Sequence, residues 1–389
     1  MKRIAALLLA SLVLLSFISC VKQTGSDVPE EFYVNDLGSV YASAGMEQIF
    51  ETGETVYYLC TEPGGECRLF FSDKDQKEWL PLCAKPDCLH SDEDCNSILE
   101  GNASNKAWLY GARIYYMIYS PQGKGIELWR MRLDGSAHEK LRTFFEERDG
   151  GGAAFSFDWY FHNKYAVVRY LQLGTESTGV KMETYVLDLS TDELELKKIE
   201  LPEGVTLGDP VAGEGNELYC VCEDDAARIV KADLESLSVI ELCELSFVPD
   251  LFSCELKDGH LYFAEGWDQG KIYRIDTVSG AEEVVASAEP QTRRWYHPYG
   301  EYVFGSNTGS VPSLKGTEIS DLSGNLIQEL TYSDSDPEIV ICKILGDHVF
   351  GYEIGESAQV SEKPPTWYLD IGEIGTGNLT WHRWAPDGE

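Results

Sequence analysis

The 389-residue sequence carries 66 acidic against 31 basic side chains, a formal net charge of −35. So acidic a body is a poor partner for nucleic acid or an anionic membrane, because both need a basic patch to displace counterions. Disorder is disfavoured too, since 43% hydrophobic and 12% aromatic residues are enough to bury a core.

Met1-Lys2-Arg3 precede an uncharged run from Ile4 to Ile18, followed by Ser19-Cys20. A basic start, a short apolar run and a small residue are the marks of an export signal, and the run is too short for a comfortable spanning helix. Ser16-Phe17-Ile18-Ser19-Cys20 resembles a bacterial lipobox. The resemblance implies removal of residues 1–19 and diacylation of Cys20. The chain would then sit on the outer face of the cytoplasmic membrane, held there by lipid alone. Residues 20–38 read as the lipidated cysteine and a flexible polar tether, and 39–389 as one domain.

That domain repeats. A turn residue is followed three and four positions on by an apolar pair at Gly53, Gly111, Asn163, Gly215, Asp258, Gly300 and Gly346. Further along each unit, a strand ends in aspartate: Asp73, Asp134, Asp188, Asp233, Asp276, Asp321 and Asp370. Aspartate at a strand end can accept from its own backbone two residues on and start a tight turn. The fullest unit, residues 251–288, reads strand, turn, strand, loop, strand, turn, strand. Seven four-stranded units at this period predict an all-β fold, a seven-bladed β-propeller. A β-sandwich pair or a β-solenoid is the competing expectation.

The first unit carries an unusual cysteine group: Cys60, Cys67, Cys83, Cys88 and Cys95. Their spacing places all five on the loop face of the propeller, near one blade. Cys60 and Cys67 flank a short hairpin loop, a spacing that suits a disulfide, which an exported protein permits. Cys83, Cys88 and Cys95, with His90, suit either a Cys3His zinc site or a disulfide with one spare thiol; full reduction is a third outcome. The other cysteines of the domain, Cys220, Cys222, Cys243, Cys254 and Cys342, read as small buried hydrophobes.

The innermost strands of a propeller line its axial channel. Those of the third and sixth units carry related strings, Asp158-Trp159-Tyr160-Phe161-His162 and Arg294-Trp295-Tyr296-His297-Pro298, the second preceded by Arg293. Asp158, Tyr160, Arg293, Arg294, Tyr296 and His297 are candidate ligand-binding residues, because an arginine fork beside aromatics can hold a carboxylate or a sugar ring. Packing of those aromatics between blades is the competing reading. The longest loops after second strands, 306–316 and 355–366, are the best placed to build a site on the loop face. No G-x-S-x-G elbow, P-loop or H-E-x-x-H motif is present.

The string Pro81-Leu82-Cys83-Ala84-Lys85-Pro86-Asp87-Cys88-Leu89-His90, continuing to Cys95-Asn96-Ser97 after a lipobox, resembles uncharacterised propeller-type lipoproteins of Gram-positive anaerobes. That resemblance implies a displayed propeller and no established activity. The expected function is therefore a monomeric, surface-anchored scaffold binding an extracellular peptide, glycan or protein. The alternative is an extracellular carbohydrate-active hydrolase or lyase using channel-lining carboxylates.

Overall fold

A computed structural model of the protein describes residues 33–34, 48–61, 66–90, 94–99, 103–120, 125–146, 155–173, 180–223, 226–265, 270–287, 294–307, 317–330, 339–353 and 364–384. All seven strand-ending aspartates do what the sequence expects of them. In each, a carboxylate oxygen accepts the backbone N–H two residues on: Asp75, Ser136, Ser190, Glu235, Val278, Ser323 and Gly372, at 2.8–3.1 Å. This bond starts the turn from third to fourth strand. The turn from first to second strand is regular in blades two to seven, though not in blade one, where Glu51 pairs with Val56 around a longer connection. Gly111, Asn163, Gly215, Asp258, Gly300 and Gly346 all have φ between 49° and 60°. A left-handed first residue gives the two-residue hairpin the twist of its strands, and asparagine and aspartate tolerate that region better than other side chains.

With both turns fixed, four consecutive strands form each blade. Blade one contains Gln48–Glu51, Thr55–Thr61, Cys67–Asp73 and Leu80–Pro81; blade two, Ala103–Gly111, Arg113–Tyr119, Ile126–Arg132 and Glu139–Phe144. Blade three contains Phe155–His162, Tyr165–Leu173, Val180–Asp188 and Leu196–Ile199; blade four, Asp209–Glu214, Glu217–Glu223, Ala227–Asp233 and Ser238–Glu244. Blades five, six and seven start at Pro249–Lys257, Arg294–Tyr299 and Ile339–Leu345 and end at Glu282–Ser287, Leu326–Leu330 and His382–Arg383. Every pairing is antiparallel, the four strands of each blade pair in chain order, and the fold is a seven-bladed β-propeller. The core lies between blades. Tyr116, Met131 and Leu109 of blade two pack with Phe50, Leu59 and Leu69 of blade one, while Trp108 and Phe161 join blades two and three. Burial on both faces explains why Arg113–Tyr119 is buried at Ile114 through Ile118 without alternation.

Side chains close the ring. The Tyr58 and Tyr352 hydroxyls lie 2.6 Å apart, Trp384 Nε1 donates to Ser72 Oγ at 3.0 Å, and Trp79 Nε1 donates to Pro365 O at 2.9 Å.

Two features depart from the expected layout. The stretch expected as tether contains a short strand, Tyr33–Val34, which pairs with the innermost strand of blade two, Tyr33 opposite Gly111 and Val34 opposite Tyr110. An inner edge with open N–H and C=O groups is a template for any extended segment, and tyrosine and valine suit it. The second departure concerns the outer strand of blade one. Leu80–Pro81 pairs with Phe71 and Phe70, and Ile98–Leu99 pairs with Arg68 and Cys67 of the same third strand. Between them, Leu82 N donates to Leu69 O at 2.9 Å and Leu69 N to Ser97 O at 2.8 Å. The cysteine run is thus an excursion, residues 83–96, from the middle of an outer strand. It leaves the rim of blade one and not the loop face.

Candidate metal centre

The excursion is shaped by two turns. Lys85-Pro86-Asp87-Cys88 closes with Cys88 N donating to Lys85 O at 3.3 Å, proline presetting the second position. Cys95-Asn96-Ser97-Ile98 closes with Ile98 N donating to Cys95 O at 3.1 Å. Between them His90 adopts φ 56°, which aims its N–H back at Cys88 Sγ, 3.4 Å away. Arg68, buried in the third strand, donates to His90 O at 2.6 Å and ties the excursion to the blade.

These turns bring Cys83, Cys88, His90 and Cys95 together, with one ligand atom from each lying within 4.8 Å of the others. His90 Nδ1 is 3.4 Å from Cys95 Sγ. A tetrahedral ion with metal–sulfur bonds near 2.3 Å and metal–nitrogen bonds near 2.0 Å has N···S edges of about 3.5 Å. The donor set, three thiols and an imidazole, therefore fits a tetrahedral ion. Sulfur and nitrogen donors suit zinc and do not suit magnesium or calcium. Around the donors stands a second layer. Ser97 Oγ lies 3.0 Å from Cys95 Sγ, and His138 Nε2 lies 3.0 Å from Asn96 O while its Nδ1 meets the Tyr116 hydroxyl at 3.0 Å. The contact from His138 to Asn96 joins the excursion to blade two.

The thiols differ in their proton affinity. Burial works against the Cys83 thiolate, but the backbone at Lys85 and Asn96 and the sulfurs of Cys88 and Cys95 outweigh it and lower the pKa. At Cys88 the His90 amide favours the thiolate, yet burial and the neighbouring Cys95 and Cys83 sulfurs together raise the pKa. The lower thiol pKa makes Cys83 the readier ligand, and an ion would supply the positive charge that favours the Cys88 thiolate.

Cys60 and Cys67 stand apart from this group. Cys67 lies opposite Thr61 and Cys60 opposite Arg68, so the two side chains point to opposite faces of the blade. Cys60 packs with Val56, Tyr58 and Trp108, and Cys67 with Leu59, Leu69 and Leu99. The hairpin spacing suggested a facing pair; the register sets the two one residue out of step, and a bridge would need one strand to turn over. Cys220 and Cys222 are buried together between blades three and four, and burial pushes the Cys220 thiol far up.

The channel residues form a different picture. Tyr160 is 4% exposed and packs between blades three and four, a core role. Asp158 joins a charged network that the sequence does not announce. Lys106 of blade two donates to Asp158 Oδ1 at 2.9 Å and to Trp159 O at 2.7 Å. Arg169, opposite Asp158 in the register, donates from Nε to Asp158 Oδ2 at 3.1 Å, with Nη2 on the same oxygen. Its Nη2 also donates to Asp209 of blade four at 2.8 Å, and Nη1 to Gly208 O at 2.9 Å. Burial opposes the Asp158 carboxylate, but Lys106 and Arg169 outweigh it and hold its pKa below the ordinary value. The one sequence signal for Arg169 is an arginine inside the apolar run Tyr165-Ala166-Val167-Val168, which must find a partner. His297 of blade six lies with Nδ1 3.4 Å from Ser253 Oγ, and that hydroxyl donates to Asp250 Oδ2 at 3.0 Å. Arg294 and Tyr296 stand on the innermost strand of blade six, opposite Asn307 and Gly305, with side chains outside the described residues. Arg293 and Cys20 also lie outside them, as do the central parts of loops 306–316 and 355–366.

No family model and no curated protein matches the chain. Among solved structures it is similar to a puromycin hydrolase, at 14% identity over 89% of this chain and 54% of that one, with a TM-score of 0.51. It is similar to a prolyl endopeptidase at 10% identity over 91% of this chain and 50% of that one, TM-score 0.51. The chain spans about half the length of each. At these identities the likeness is one of fold.

Proposed function

We propose that the protein is a scaffold displayed outside the cytoplasmic membrane, anchored by lipid on Cys20 and carrying one zinc ion at Cys83, Cys88, His90 and Cys95. Its loop face would take an extracellular peptide, glycan or protein; its acidic body gives nucleic acid nothing to bind. The zinc would pin the rim of blade one, since no apolar core runs through residues 83–90, where every side chain but Leu82 beside it is partly or fully exposed. The observation that supports a scaffold over a hydrolase is the mutual neutralisation of the channel charges. Asp158 is held as an anion between Lys106 and Arg169, and the Ser253 hydroxyl is committed to Asp250. A general acid needs a carboxyl whose pKa is raised, and Asp158 moves the other way.

The test uses cells fed a radiolabelled fatty acid. Wild-type chain is expected in the membrane fraction with label, and the Cys20→Ser chain is expected unlabelled and in the soluble fraction. The detergent-solubilised wild-type chain, applied to glycan and peptide arrays, is expected to retain a ligand without cleaving it. Equal fractionation of both chains would overturn the anchor, and turnover of a retained glycan would overturn the scaffold in favour of a hydrolase.

A further inference from the structure

Three cysteines in one small excursion are more than a rim needs for packing, and their exposure is uneven. Cys95 is 2% exposed and backed by Ser97, whereas Cys83 and Cys88 are half-buried and face solvent. The proline turn Lys85-Pro86-Asp87-Cys88 folds Cys88 back toward Cys83, and the donor atoms of the whole group lie within 4.8 Å. Closing a disulfide from there takes a shift of a few ångströms within a loop, with both flanks already fixed at Leu69. We infer that the Cys3His centre is a redox switch, in which oxidation joins Cys83 to Cys88 and releases the zinc. This inference rests on the zinc reading above.

The step balances with a peroxide as oxidant. One zinc-bound thiolate attacks hydrogen peroxide, forming a sulfenic acid and a hydroxide that takes up a proton to give water. The second thiolate attacks that sulfur, the S–S bond forms, and the oxygen leaves as hydroxide that takes up a proton. Two electrons pass from two sulfurs to one peroxide. With two of its four ligands gone, the zinc is left with His90 and Cys95 and dissociates. A dithiol reverses the step by taking the disulfide's place and restoring both thiolates. The excursion bears Leu89, 86% exposed between Cys88 and His90, so its shape changes where an apolar side chain is on display.

Reduced full-length protein is loaded with zinc and treated with hydrogen peroxide beside a chromophoric zinc chelator. About one zinc per chain is expected to be released, with a mass loss of two hydrogens and a Cys83–Cys88 disulfide in the peptide map; dithiothreitol is expected to restore zinc binding. Zinc retained against peroxide, or released with the sulfurs as sulfinic acids and no Cys83–Cys88 disulfide, would overturn the switch while leaving the zinc reading intact. Reduced protein that takes up no zinc would overturn both.

Discussion

At the residue scale, Arg169 shows how a charge is made tolerable inside a sheet. Its side chain is 13% exposed, and it is fixed by Asp158, Asp209 and the carbonyls of Leu207 and Gly208. It therefore holds blade three to the start of blade four, while Lys106 extends the same network to blade two. Arg169→Met keeps much of the apolar stem and removes the fork. Asp158 is then left with Lys106 alone, and two carbonyls lose a charged donor. Breaking a buried pair from one side costs about 3–5 kcal/mol, and the partial exposure of Asp158 brings the expected loss down to about 2 kcal/mol. Urea unfolding monitored by tryptophan fluorescence measures it. An unchanged midpoint would mean that the network contributes nothing to blade docking.

At the element scale, the same turn chemistry is used seven times, which is why the blades were legible without a structure. Asp276 accepts from the N–H groups of Val278 and Ser279, at 3.1 and 2.6 Å, and from the Ser279 hydroxyl at 2.8 Å. Asp276→Ala is expected to destabilise the protein by about 1 kcal/mol, the net worth of an exposed turn's hydrogen bonds, and Asp276→Asn by less, since its amide oxygen can still accept. Thermal unfolding of the two variants separates them; equal losses would show that the carboxylate charge, and not its acceptor geometry, matters. The zinc-type ligands were legible for a similar reason, because all four lie within one short run. What escaped the sequence lies between runs. Leu80–Pro81 and Ile98–Leu99 are too short to show a period, so the spacing puts the cysteine run on the loop face and not within the outer strand these two pieces share. The register at Cys60 and Cys67 turns on a single residue, which spacing cannot fix. The Lys106–Asp158–Arg169–Asp209 network is assembled from three blades, and only the closed ring brings its members together.

At the scale of the whole molecule, the charge of −35 and the buried histidine pull stability in opposite directions as pH falls. Protonating surface carboxylates relieves self-repulsion, but most of that lies below about pH 5, near the ordinary carboxylate values. His162 acts earlier. It ends the innermost strand of blade three, 6% exposed, with its ring against Gly213 of blade four. Burial lowers its pKa from 6.5 to about 4, only partly offset by the backbone at Gly215. The folded protein thus keeps His162 neutral where the unfolded chain would protonate it. A lowered folded pKa means that the unfolded state binds the extra proton, so stability is complete above pH 6.5 and is lost as pH falls toward 4. Between pH 7 and pH 5 the expected loss is about 2 kcal/mol, the free energy of protonating a free imidazole that the fold keeps neutral. His162→Gln removes this titration and is expected to reduce the dependence over this interval, whatever its effect at pH 7; burial also lowers the His348 pKa. Urea unfolding of both chains at pH 7, 6 and 5 decides the matter. If wild type and variant lose stability in parallel, the acid sensitivity belongs to other groups, and the lowered pKa of His162 is not what limits the ring in mild acid.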